Sequence, residues 1–194
     1  VTRDRGVPGL SEIEAEPTAA PIYQDPTRTA LDDAALLHVD PEARIRAFVA
    51  GGLCVADLYG LPRSELYELA AQAERLFRSG DLAGAEVAFT GLTALMPTCD
   101  DFQASLGAVF HRQRRLEEAQ RAYSRCLALN ALHVVARVNR AELLLELGDL
   151  DAALEDLTLA RRADPEGKDP HSERTQAVTL ALVNLVAEFA EPNS

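Results

Sequence analysis

Residues 66–99 read LYELAAQAERLFRSGDLAGAEVAFTGLTALMPTC, residues 100–133 read DDFQASLGAVFHRQRRLEEAQRAYSRCLALNALH, and residues 134–167 read VVARVNRAELLLELGDLDAALEDLTLARRADPEG. Laid beneath one another, the three lines keep a period of 34 without a gap. A small residue recurs at Ala73, Gly107 and Ala141, and a second at Ala85, Ala119 and Ala153. Leu82, Leu116 and Leu150 open the second half of each line, and Phe89, Tyr123 and Leu157 fill its middle. Leu95, Leu129 and Ala163 stand near its end, followed by Pro97, Ala131 and Pro165. Gly80-Asp81 and Gly148-Asp149 separate the halves, with Arg114-Arg115 at that place in the middle line. Small side chains let two antiparallel helices approach closely, and bulky ones fill the space on either side. Glycine ends the first helix by taking a positive φ at little cost, and proline stops the second. Each line therefore predicts a helix–turn–helix unit.

A helix–turn–helix unit of 34 residues resembles the tetratricopeptide repeat. The resemblance implies an all-α fold, with three tetratricopeptide repeats over residues 64–168 wound into a right-handed superhelix. One such unit cannot bury its own apolar face, so a stack needs caps. Asp40-Pro41-Glu42 reads as a helix start, because Asp caps free N–H groups and Pro is tolerated at the first position. That helix is expected to end at about Val49 or Asp57, with Gly51-Gly52 a break or a point of close packing. Residues 41–63 thus form an N-terminal helix and connector, covering the first repeat or serving as a dimer contact with another chain. Asp169-Pro170 repeats the same start, and Val178, Leu182, Leu185, Val186 and Phe189 follow at near-helical spacing. Residues 169–194 are accordingly expected to be a C-terminal capping helix, over Ser172–Phe189, and a tail. Residues 1–40 begin with Pro8, Pro17, Pro21 and Pro26 among few aliphatics, the composition of a mostly disordered tail.

The chain of 194 residues is long enough for one domain with a real core. Hydrophobic residues at 47% and charged residues at 26% exclude wholesale disorder. Aromatics are only 5% and Trp is absent, a vocabulary that favours helix over strand. A formal charge of −12 would repel a phosphate backbone, which argues against nucleic-acid or anionic-membrane partners. Val1–Leu10 has no continuous apolar stretch of the secretory kind, and Phe48–Leu61 and Ala177–Ala187 are each too short to span a membrane. Cys54, Cys99 and Cys126 are odd in number and far apart, as suits three thiols in a reducing compartment. The expectation is a soluble, cytoplasmic and mostly helical protein.

No catalytic constellation stands out. His38, His111, His133 and His171 are scattered, without metal-ligand spacing, and no phosphate loop or nucleophile elbow is present. Cys126 occupies a small-residue position in a second helix and reads as packing, while Cys99 in a turn reads as a plain exposed thiol. Asp100-Asp101 and Glu117-Glu118 sit at helix starts, where carboxylates complement the helix dipole. The basic run His111-Arg112-Gln113-Arg114-Arg115 reads first as a solvated helix end, and second as an acidic contact on a partner. No cofactor, no metal and no enzymatic activity are expected.

By resemblance to the tetratricopeptide family, the first helices line a concave surface. Repeat one offers Tyr67, Ala70, Ala71, Glu74, Phe77 and Arg78. Repeat two offers Asp101, Ala104, Ser105, Ala108, His111 and Arg112, and repeat three Val135, Val138, Asn139, Glu142, Leu145 and Glu146. The family's carboxylate clamp is not present, because its places hold Ala70, Glu74, Asp101 and Asn139. An extended peptide with apolar side chains suits this surface. Phe77 and Tyr67 are its aromatic residues, and inter-helix packing is the competing role for both.

Phe48-Val49-Ala50-Gly51-Gly52 with Ala56 and Leu58, then Leu76-Phe77-Arg78-Ser79-Gly80-Asp81 and Phe89, resemble class II type III secretion chaperones. The likeness returns at Phe102 and Leu106-Gly107-Ala108, and again from Ala141-Glu142-Leu143-Leu144-Leu145 to Gly148-Asp149. It implies a small acidic cytoplasmic chaperone, often a homodimer through its N-terminal helix. Its partner would be a hydrophobic secreted translocator, held by an extended segment of Pro-x-Leu-x-x-Pro type in the concave groove. Ala70 and Glu74 depart from the aromatic groove residues of that group, and the proline-rich tail is longer than usual. The alternatives are a general tetratricopeptide scaffold and a regulatory subunit, neither with a role in secretion.

Overall fold

The structure, a computed structural model, describes residues 40–168 and 173–180. Of the tail expected over residues 1–40, residues 1–39 lie outside the described residues, as do the Asp169-Pro170 start of the capping helix and its end beyond residue 180. The Asp40 carboxylate accepts the Ala43 N–H at 3.2 Å and opens helix α1 (Pro41–Val49). Of the two ends expected for it, the chain takes Val49: Gly51 adopts φ 79°, and a separate short helix α2 (Val55–Tyr59) follows. Then come α3 (Arg63–Ser79) and α4 (Leu82–Leu95), α5 (Asp100–Arg112) and α6 (Leu116–Leu129), and α7 (Val134–Leu147) and α8 (Leu150–Ala163). Residues 173–180 form α9. The second helices begin at Leu82, Leu116 and Leu150 and end at Leu95, Leu129 and Ala163, in the register of the sequence repeat. The fold is all-α, a tetratricopeptide superhelix of three repeats.

The recurrent small residues sit where the helices meet. Ala73, Ala141, Ala85, Ala119 and Ala153 have no exposed surface. A Cβ built on Gly107 would stand 2.6 Å from two ring carbons of Tyr123, closer than real contacts allow. Tyr123, like Phe89 in the first repeat and Leu157 in the third, is buried. These side chains form a chain of small cores, running from Ala56, Leu66 and Phe89 through Tyr123 and Leu143 to Val138, Leu157 and Val178. The caps are thus identified by burial. Ala56 of α2 closes one end, Val178 of α9 closes the other, and α1 buries none of its residues.

The turns solve one problem in two ways. Gly80 and Gly148 end α3 and α7 in the left-handed conformation, with φ 87° and 80°. At the equivalent place in the middle repeat Arg114 adopts φ 63°, a conformation that L residues other than Gly, Asn and Asp rarely take. Where the middle repeat lacks a proline after its second helix, Asn130 takes over, its side chain accepting the Leu132 N–H at 3.0 Å. A buried ion cluster then fastens the third repeat. Asp156, 2% exposed, accepts from Arg137 Nη1 at 3.0 Å and from Arg140 Nε and Nη2 at 2.6 and 2.8 Å. Arg137 also donates twice to the Ala131 carbonyl, so one network joins the turn, α7 and α8.

Two substitutions separate these effects, read by thermal and urea unfolding. Gly107→Ala forces a methyl into the Tyr123 ring and is expected to cost about 1–3 kcal/mol, the scale of overpacking. Arg114→Gly relieves the positive φ and is expected to raise stability by about 0.5–1 kcal/mol, after loss of one exposed ion pair.

Candidate functional site

Successive first helices, α3, α5 and α7, approach one another more closely than successive second helices do, so the stack curves with the first helices inside. On α7, Val135, Asn139, Glu142 and Glu146 share one face by helical spacing. Glu142 reaches Arg174 of α9 at 2.9 Å, and Glu146 reaches His111 of α5 at 3.2 Å, so this face looks across the concave side. Tyr67 meets Phe102 edge-on, with ring centroids 6.0 Å apart.

Ten of the eighteen residues expected to line the concave surface divide in two. Tyr67, Glu74, Phe77, Ala108, His111 and Glu142 are half-buried and stand at the open side. Ala70, Ala104, Val138 and Leu145 are at most 5% exposed and belong to the packed interior, because helices this close leave only the outermost side chains of each inner face uncovered. Phe77 packs against the first core, and the Arg112 guanidinium lies 4.7 Å over its ring. The ring therefore serves both the packing and the groove wall. At the floor, the fully buried Tyr123 hydroxyl is hydrogen-bonded to Asn139, and burial raises its pKa. The Asn139 Oδ1, enclosed beside it, has no hydrogen-bond partner among the described residues.

The basic run 111–115 is more than a solvated helix end, although Arg112 and Arg114 are exposed. Arg112 donates to the Phe77 carbonyl at 2.9 Å in the first repeat, beneath the ring it covers. Gln113 reaches Glu86 at 2.9 Å, and Arg115 reaches Glu86 at 2.7 Å and Glu118. His111 and Arg114 turn the other way, and both bind Glu146 in the third repeat. Every side chain of the run bridges to a neighbouring repeat. Sequence spacing places these cations at a helix end but says nothing of the acids across the gap.

Cys99, Asp100 and Asp101 bring a sulfur and two carboxylates within 4.8 Å of one another. Asp100 accepts from Asn130 at 2.7 Å, and Asp101 lies 3.1 Å from His133 Nε2. His133 Nδ1 accepts the Ala136 N–H, which makes Nε2 the donor to Asp101. The group ties the start of α5 to the start of α7. Cys99 is not the exposed thiol expected, for burial pushes it up to about 12. Cys126 is fully buried, as expected of a packing residue, and its thiol is likewise raised by burial. A cleft among α6, α7 and α8, lined by Ser124, Arg140 and Glu155, has the Asp156 cluster as its floor and belongs to that brace. Among the described residues no helix is long and apolar enough to cross a membrane.

Together the helices define a three-repeat tetratricopeptide fold with a concave inner face. Among solved structures, the chain is similar to a type III secretion complex from Aeromonas hydrophila, with TM-score 0.67 and 23% identity over 77% of this chain and 99% of that one. It is similar to the Yersinia enterocolitica secretion chaperone SycD in complex with a peptide of the translocator YopD, with TM-score 0.59 and 24% identity over 64% and 95% of the two chains. A third, SycD as an alternative dimer, aligns with TM-score 0.61 and 23% identity over 66% and 96%. No family signature matches the chain, and no curated protein matches it in sequence.

The inter-repeat bridge has a pH signature. Hydrogen bonds from Arg115 and Gln113 hold the Glu86 carboxyl below its ordinary value. A carboxylate whose pKa is lowered by folding contributes stability above its unfolded pKa and loses it as pH falls through the folded one. Thermal stability is therefore expected to drop as pH falls from about 5 to 3. Glu86→Gln should lower the neutral-pH melting temperature and flatten part of that slope.

Proposed function

We propose that this protein is a non-enzymatic chaperone for a hydrophobic secreted translocator. It binds an extended segment of that client in the concave groove and keeps it soluble and competent for export, in the bacterial cytoplasm. The observation that supports this most directly is the match of the three-repeat stack, across most of both chains, to a translocator chaperone with a translocator peptide bound. The groove chemistry agrees with it: half-buried Tyr67 and Phe77 offer apolar contact. The acidic shell suits a protein that keeps a membrane-active client dissolved. A homodimer is part of the reading. Helix α1 leaves Ile45 and Val49 exposed, 53% and 79%, a face for a second copy.

The test is to purify the tagged protein from its native cells and identify what accompanies it by mass spectrometry. A near-stoichiometric partner with predicted membrane helices, insoluble when expressed without this chain, is the expected result. Recovery of soluble folded proteins alone would sink the reading in favour of a scaffold. Phe77→Glu should weaken client capture by about 2 kcal/mol, the scale of an interface hot spot, with helix content retained by circular dichroism.

A further inference from the structure

The outer face of α4 is unlike those of the other two second helices. Ala83, Val87, Thr90, Gly91 and Ala94 are all exposed, and helical spacing sets them on one side of α4. One period later, Glu117, Arg121 and Arg125 stand among the same places on α6, and two periods later Asp151, Glu155 and Arg162 on α8. Charge thus recurs on two outer faces and is absent from the first. Glu86, the one charged residue of α4, is taken up by Gln113 and Arg115 of the second repeat. Gly91 sharpens the contrast. It lies inside the helix with an ordinary helical backbone, and a Cβ built on it meets nothing within 4 Å. Glycine inside a helix is less stable than alanine, since its backbone loses more freedom. Packing among the described residues gives no reason for that loss here, whereas at Gly107 it does. A second body that approaches the helix axis supplies the reason, because a missing Cβ lets two backbones come close. Val87, one turn earlier and 75% exposed, is the bulky side chain beside that hollow.

We propose that a second copy of this chain docks on this face, α4 against α4 about a two-fold axis, with Val87 of each copy seated over Gly91 of the other. The proposal names the contact surface of the homodimer in the reading above, and rests on that reading for its second copy. A two-fold contact puts residue i on j and j on i, and a side chain and a hollow one turn apart on one face meet that condition. Charge selects the same face. Each copy carries −12, so two copies repel least where neither presents a carboxylate. The outer faces of α6 and α8 both present them, at Glu117, Asp151 and Glu155. Area sets the strength. A helix of 14 residues is about 21 Å long and about 10 Å across. One such face covers about 200 Å², roughly a quarter of the about 800 Å² per partner in a standard interface. Ile45 and Val49 of α1, 53% and 79% exposed, add apolar surface at the same end of the stack, where α2 touches both α1 and α4. The contact is small, and the dimer is expected to be weak and reversible.

Sedimentation velocity on the full chain tests this, from about 1 to about 300 μM, the range of weak association. A concentration-dependent exchange between monomer and dimer is expected. Val87→Glu and Gly91→Arg each set a charge in the contact at an exposed position, so helix content by circular dichroism should hold. Each variant should raise the dissociation constant of the dimer by about tenfold or more, the scale of a lost interface contact. Mixed in equal amounts, the two variants should associate about as well as the unaltered chain. In that mixed dimer the new carboxylate faces the new guanidinium, and Val87 faces Gly91 at the symmetry-related contact. A chain that stays monomeric throughout, variants that dimerise as the unaltered chain does, or a mixture that fails to associate would overturn the proposal. Client capture is scored separately. A monomeric chain that captures its client removes the dimer and leaves the chaperone reading, and a dimer that captures none removes that reading and leaves the contact on α4.

Discussion

Everything in this molecule hangs on how closely two helices can approach. At Gly107 no room exists for even a methyl group, because the Tyr123 ring fills the space a Cβ would take. Ala73 and Ala141 hold the same place in the other repeats, each with no exposed surface. Close approach lets an aromatic or leucine side chain from the second helix cover its neighbour completely, and dense contact of this kind stabilises a stack of units that cannot stand alone. The same approach shapes the groove. It draws Ala70, Ala104, Val138 and Leu145 into the interior and leaves a shallower wall of Tyr67, Phe77, Ala108 and Glu142.

The middle repeat carries a second duty. It departs from its neighbours at one turn, where Arg114 keeps a left-handed backbone that glycine takes elsewhere. The departure coincides with the five-residue run that grips the first repeat through Phe77 and Glu86 and the third through Glu146. Those arginines are spent on bracing.

How much of this was legible beforehand differs by feature. The helix boundaries followed from a gapless repeat, since Leu82, Leu116 and Leu150 open second helices that end in register. The Asp40 cap followed from local chemistry alone, whereas the sequence left that helix's end open between Val49 and Asp57. The groove list was half legible, because helical spacing tells which side of a helix faces inward but not how far a neighbouring helix covers it. Cys99 was read as exposed and is half-buried, for the same reason. The bridges from His111 to Arg115 were not legible at all, since their partners are about thirty residues distant along the chain.

By itself, then, the sequence determined the period, the helices, their caps and the places where only small residues fit. These depend on backbone preference and on contacts within one helix or between consecutive ones. Tertiary structure alone decided which inward-facing side chains remain open, which cations are consumed between repeats, and that α2 closes the N-terminal end while α1 stays uncovered. Those outcomes depend on the curvature of the stack, and curvature arises from the summed packing of all the repeats and not from any one of them.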